Sequence, residues 1–69
     1  MWKIYKWNGL YIQGDLVSKH SSEDAAIKKA KKEIGFIYAE KSKTGKETLI
    51  WLADENHTPM GVIIKKIRG

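Results

Sequence analysis

Few side chains in this chain could do chemistry: two histidines and eight carboxylates among 69 residues, with no cysteine. His57 stands in Asp54-Glu55-Asn56-His57, a mixture of oxygen and nitrogen donors of the kind that holds divalent ions. The segment lacks the ligand spacing of a calcium loop, however, and reads as a polar turn before Pro59. His20 precedes a helix-capping sequence and reads as a loop residue rather than a general base. Lys43-Thr44-Gly45-Lys46-Glu47-Thr48 has part of a phosphate-binding loop. That loop needs glycine where Glu40 stands, a hydroxyl where Glu47 stands, and a helix after it. Catalysis needs a nucleophile beside a base, or paired carboxylates in a pocket. Neither is visible, and no histidine or acid is expected to line a concavity. The chain therefore reads as non-enzymatic, with no catalytic residue, metal ligand or cofactor assigned.

The stronger signal is charge interleaved with aromatics. Thirteen basic residues oppose eight acidic ones, for a formal charge of +5 and a pI near 9.6. The imbalance is uneven: Leu49 to Pro59 is acidic, whereas Met60 to Gly69 carries Lys65, Lys66 and Arg68 with no acid. Trp2, Lys6 and Tyr11 fall on one face of an N-terminal hairpin. Such a face can stack bases on its rings while lysines neutralise phosphates. The candidate nucleic-acid contacts are thus Trp2, Lys6, Tyr11, Lys65, Lys66 and Arg68. Twelve of the thirteen basic residues are lysine, which lacks the bidentate fork of arginine, so contact with DNA or RNA is expected to be largely independent of sequence. If later strands covered Trp2, Ile4 and Tyr11, the same face would instead become a second core.

The elements that must position these residues are legible in outline. Asn8-Gly9 supplies the positive-φ pair of a two-residue hairpin turn. That turn would pair Trp7 with Leu10, Lys6 with Tyr11, Tyr5 with Ile12, Ile4 with Gln13 and Trp2 with Asp15. The core face would then carry Tyr5, Trp7, Leu10, Ile12 and Leu16. Ser21-Ser22-Glu23-Asp24 opens a helix expected over residues 22–34, with Gly35 as its left-handed cap. Ala26, Ile27, Ala30 and Ile34 form its apolar stripe, Lys31 borders it, and Lys28, Lys29 and Lys32 face solvent. Strands are expected over Phe36 to Lys41, Glu47 to Ala53 and Met60 to Ile67, with a turn at Lys43 to Lys46 and a polar loop from Asp54 to Pro59.

The result is one α+β domain over residues 1–69. A mostly antiparallel, curled five-stranded sheet carries one helix across it, in the order β-β-α-β-β-β. One helix cannot cover five strands. Either the sheet curls into a half-barrel, or part of it stays open for a partner; this motivates an alternative function, a protein-interaction or inhibitory accessory module that docks or self-associates through an open face or edge strand. No apolar run approaches the roughly 18 residues of a membrane span, and lysines interrupt the N-terminal apolar residues, so no membrane role and a cytoplasmic location are expected.

From Tyr5 to Glu33 the hairpin, the capped Ser21-Ser22-Glu23-Asp24-Ala25-Ala26-Ile27 and the lysine-rich helix resemble the small arm-binding domains of tyrosine recombinases. The likeness covers under half of the chain. It implies a sheet that reads the DNA major groove, backed by one helix, with Lys6 and Tyr11 as groove contacts. Members usually have three strands before the helix, where two are read here.

Overall fold

The computed structural model describes residues 1–7 and 14–66. Its elements are β1 (Trp2–Lys6), β2 (Leu16–His20), α1 (Glu23–Ile34), β3 (Tyr38–Lys43), β4 (Glu47–Ala53) and β5 (Pro59–Lys66). They form one sheet in the order β2-β1-β5-β4-β3, every neighbouring pair antiparallel. The sheet does not close, so β2 and β3 are its edges. The expected α+β class and element order are therefore observed. No helix among the described residues is long and apolar enough to cross a membrane.

The helix starts and stops where local chemistry dictates. Ser22, in extended conformation, accepts a hydrogen bond from the Ala25 amide through its hydroxyl, and Glu23 and Asp24 sit at the positive end of the dipole. Gly35 ends it with φ 71°, and its amide donates to the Lys31 carbonyl. Lys31 lies over the Phe36 ring and its ammonium donates to the Phe36 carbonyl, fastening the chain as it leaves the helix. Phe36 is buried in the core and precedes β3 instead of opening it. Lys29 pairs with Glu33 one turn away; its ammonium holds that exposed carboxyl below the usual carboxylate range.

The helix lies over β1, β2 and β5. Ala26 and Ala30 are fully buried in a core cluster with Trp2, Ile4, Phe36, Ile50, Leu52 and Ile63, while Val17, Ile27 and Ile34 pack around them. Register explains the cluster: Ile4, Ile63 and Ile50 are consecutive cross-strand partners and form one β-branched row beneath the alanines. Glu23 at the start of the helix pairs at 2.9 Å with Lys41, the next residue in that row.

Two expectations are corrected. The hairpin register is not the one set by a two-residue turn: Trp2 pairs with His20 rather than Asp15, Ile4 with Ser18 rather than Gln13, and Tyr5 with Leu16 rather than Ile12. The turn itself and the partners Leu10 and Tyr11 lie outside the described residues. The observed register recruits Val17 into the core at a bulge, and the Lys6 amide donates to the Asp15 carbonyl. It also makes His20 the last residue of β2, hydrogen-bonded to Ser18, rather than a loop residue. Second, the core face of β1 is Trp2 and Ile4, and Tyr5 and Trp7 belong to the opposite face. The aliphatic row must lie under the alanine stripe, and alternation then sends the intervening side chains away.

Gly61 belongs to the covered face. A Cβ built there would lie 2.7 Å from Ile34 Cδ1 and 2.8 Å from the Tyr5 carbonyl oxygen, and that oxygen is fixed in the ladder. Gly61→Ala should therefore destabilise the fold by about 1–3 kcal/mol in urea denaturation. Gly45→Ala, where the new methyl meets nothing within 4 Å, should change it little.

Candidate nucleic-acid interface

Strand alternation assigns each expected contact to a side of the sheet. Trp2 is 8% exposed, beneath the helix, so it offers no ring for stacking; this corrects the role expected of it. Lys65 sits 5.2 Å above the same ring on the same side. Lys6 alternates with Ile4 onto the helix side, where its charge reaches Glu33. Lys66 alternates onto the opposite face. Tyr11 and Arg68 lie outside the described residues. The structure thus splits the expected surface between two faces rather than assembling it.

The face away from the helix was not singled out by sequence reasoning, and it is the aromatic one. Four rows of cross-strand partners cross it. Lys66 meets Glu47; Lys3 meets Ile64, Leu49 and Ser42; Tyr5 meets Val62, Trp51 and Glu40; and Ala53 meets Tyr38, with Trp7 joining at the end of β1. Trp7 reaches this last row because its amide donates to the Met60 carbonyl. Its ring packs edge-on against Trp51, with centroids 5.5 Å apart and planes at 73°. Leu49 and Ile64 are half-buried on this face, and Val62 is buried.

Two hollows open on this face. The first, about 420 Å³, is walled by Trp7 and Trp51 on one flank and by Tyr38 and His57 on the other, with Glu40, Leu52, Ala53 and Pro59 completing it. A histidine and an acid therefore do line a concavity, contrary to expectation. The second, about 400 Å³, lies at the lysine end among Met1, Lys3, Tyr5, Glu47, Ile64 and Lys66. No group of three or more metal-ligating side chains comes together among the described residues.

The Asp54 to His57 segment builds part of the first hollow. The Asp54 carboxylate accepts hydrogen bonds from the Asn56 and Thr58 amides, each at 2.9 Å, and the His57 amide donates to the Asp54 carbonyl. The tight loop holds His57 at φ 63°, a left-handed conformation that costs a residue with a Cβ about 1–2 kcal/mol. In return its imidazole stacks on Tyr38, with centroids 4.3 Å apart and planes within 13°. The structure thus uses loop strain to build one wall of the hollow.

No family model, curated protein or solved structure matches this chain. The reading of the site therefore rests on its geometry.

Removing the loop's anchor should release that wall. Asp54→Ala is expected to cost about 1 kcal/mol. The His57 ring protons should also lose the upfield shift given by the Tyr38 ring, which a proton NMR spectrum reads directly. An unchanged His57 shift would mean that the stack does not depend on the loop.

Proposed function

We propose that this protein is a non-catalytic, single-stranded nucleic-acid-binding domain, working through the sheet face opposite its helix. One observation carries the reading: Tyr5, Trp7, Trp51 and Tyr38 share a face that the helix leaves open, with Lys3 and Lys66 at one end of it. Bases stack on half-exposed rings without regard to sequence, and lysines attract the backbone as point charges. The overall positive charge supplies a long-range field for such a partner. Lys65 and Lys6, on the other side of the sheet, add to that field without touching stacked bases. A broad sheet face of this kind suits a splayed single strand better than the grooves of a duplex.

The reading is tested with fluorescently labelled oligothymidine and oligouridine at two salt concentrations. Trp51→Ala should weaken binding roughly tenfold, the loss expected for one stacked base. Lys66→Gln should make the salt slope shallower by about 0.7. Lys28→Gln, on the exposed outer side of the helix, should leave stacking unaffected and so serves as the control. No affinity for any single strand at low salt would end the reading.

A second reading, docking of a protein strand or a second copy, is favoured by a different observation: β3 is a sheet edge exposed along its whole length. Its Glu40, Lys41 and Lys43 are the charges with which natural edges resist such pairing. Sedimentation should accordingly find a monomer across the accessible concentration range, and a dimer that Lys41→Thr strengthens would favour the edge instead.

A further inference from the structure

We infer that the hollow bounded by Trp51, Tyr38 and Glu40 is a base-selective subsite that prefers guanine, a refinement that rests on the single-strand reading above. Glu40 and Trp51 are direct cross-strand partners on the open face, so their Cβ atoms stand about 5 Å apart. A base stacked against the indole therefore has its edge within reach of the carboxylate. Glu40 is exposed and forms no ion pair among the described residues, so its two oxygens are available.

A carboxylate is an acceptor only and repels phosphate. Glu40 guards the β3 edge, and its place in the aromatic hollow also suits this end of the face to a ligand edge that carries donors. Among the bases of a single strand, guanine alone offers two adjacent N–H donors on its Watson–Crick edge, N1–H and the N2 amine, matching two carboxylate oxygens. Adenine and cytosine each offer one exocyclic amine there, and uracil and thymine a single ring N–H. The phosphates belong at the other end: from the Trp51 row to the Lys66 row is four residues along the strands, about 13 Å, and from the Tyr38 row it is six, about 20 Å.

A methylated ammonium is the other occupant that aromatic walls beside a carboxylate can hold. The volume and charge argue against it. About 420 Å³ lies in the range of sites for ring-sized ligands, and a chain with thirteen basic residues repels a cationic partner.

The test uses short thymine oligomers carrying one central guanine, inosine, adenine or cytosine, titrated into the intact protein with tryptophan fluorescence as readout. The wild-type chain should bind the guanine oligomer roughly tenfold more tightly than the adenine one, with inosine, which lacks the N2 amine, in between. Glu40→Gln keeps the size of the side chain and removes one of the two acceptor oxygens. It should abolish the guanine preference while retaining or improving affinity for plain oligothymidine. Binding of all four oligomers with equal affinity would overturn the subsite and leave the stacking platform standing. Failure to bind any of them would overturn both readings. Tryptophan quenching by tetramethylammonium, without discrimination among the oligomers, would reassign the hollow to a cation.

Discussion

The structure depends on one contact, the isoleucine row of Ile4, Ile63 and Ile50 lying beneath Ala26 and Ala30. A 69-residue domain without cysteine has no disulfide to limit its unfolded state, so apolar burial must carry the fold. Alanines let the helix axis come close, and β-branched side chains fill the pleated surface beneath with little rotamer entropy to lose. Because side chains alternate along a strand, fixing this row fixes everything else. The neighbouring row of Tyr5, Val62, Trp51 and Glu40 must face the other way.

The helix is too short and too narrow to do more than this. It covers β1, β2 and β5, and nothing among the described residues is laid across the opposite face. An uncovered face of leucines would be an aggregation site. Here the face is built from rings with polar edges, packed against one another so that Trp7 and Trp51 shield each other, and lysine stems extend over its lower end. The same choice of residues that makes the face tolerable in water also makes it capable of stacking. Fold economy and binding capacity are therefore consequences of one composition.

Much of this was readable from residue order alone. The helix, its Ser22 cap, its alanine stripe and its Gly35 stop follow from local rules that need no tertiary partner. So did the β3 to β4 connection, where Thr44 hydrogen-bonds around the turn. What failed was long-range. Asn8-Gly9 is a strong local turn signal, but the bonus for bringing Val17 into the core prevailed over the register such a turn would impose. The choice of core face failed for a related reason: the turn register grouped Tyr5 and Trp7 with Leu10, Ile12 and Leu16, yet the face is decided by which residues meet the isoleucines of β4 and β5, strands separated from β1 by more than forty positions. The hollow was missed because Tyr38 and Glu40 come from β3, Trp51 from β4, Trp7 from just beyond β1 and His57 from a loop. Its one sequence trace was the alternation of Tyr38 with Glu40 and of Trp51 with Ala53.

The positive charge and the acidic residue in the hollow are compatible because they act over different distances. The field of thirteen basic residues extends beyond the surface and draws in any polyanion, but at physiological salt it decays over about 8 Å. Lys66 lies four strand positions from the Trp51 row and six from the Tyr38 row, about 13 and 20 Å, and Lys3 on β1 stands three strands, about 14 Å, across the sheet from Glu40 on β3, all beyond that distance. Within the hollow, then, Glu40 is not neutralised by them, and its carboxylate can select among base edges even while the rest of the surface attracts phosphates. Attraction set by net charge and orientation set by a single acid are separable properties. A sheet face about six residues long from lysine end to aromatic end is long enough to keep them apart.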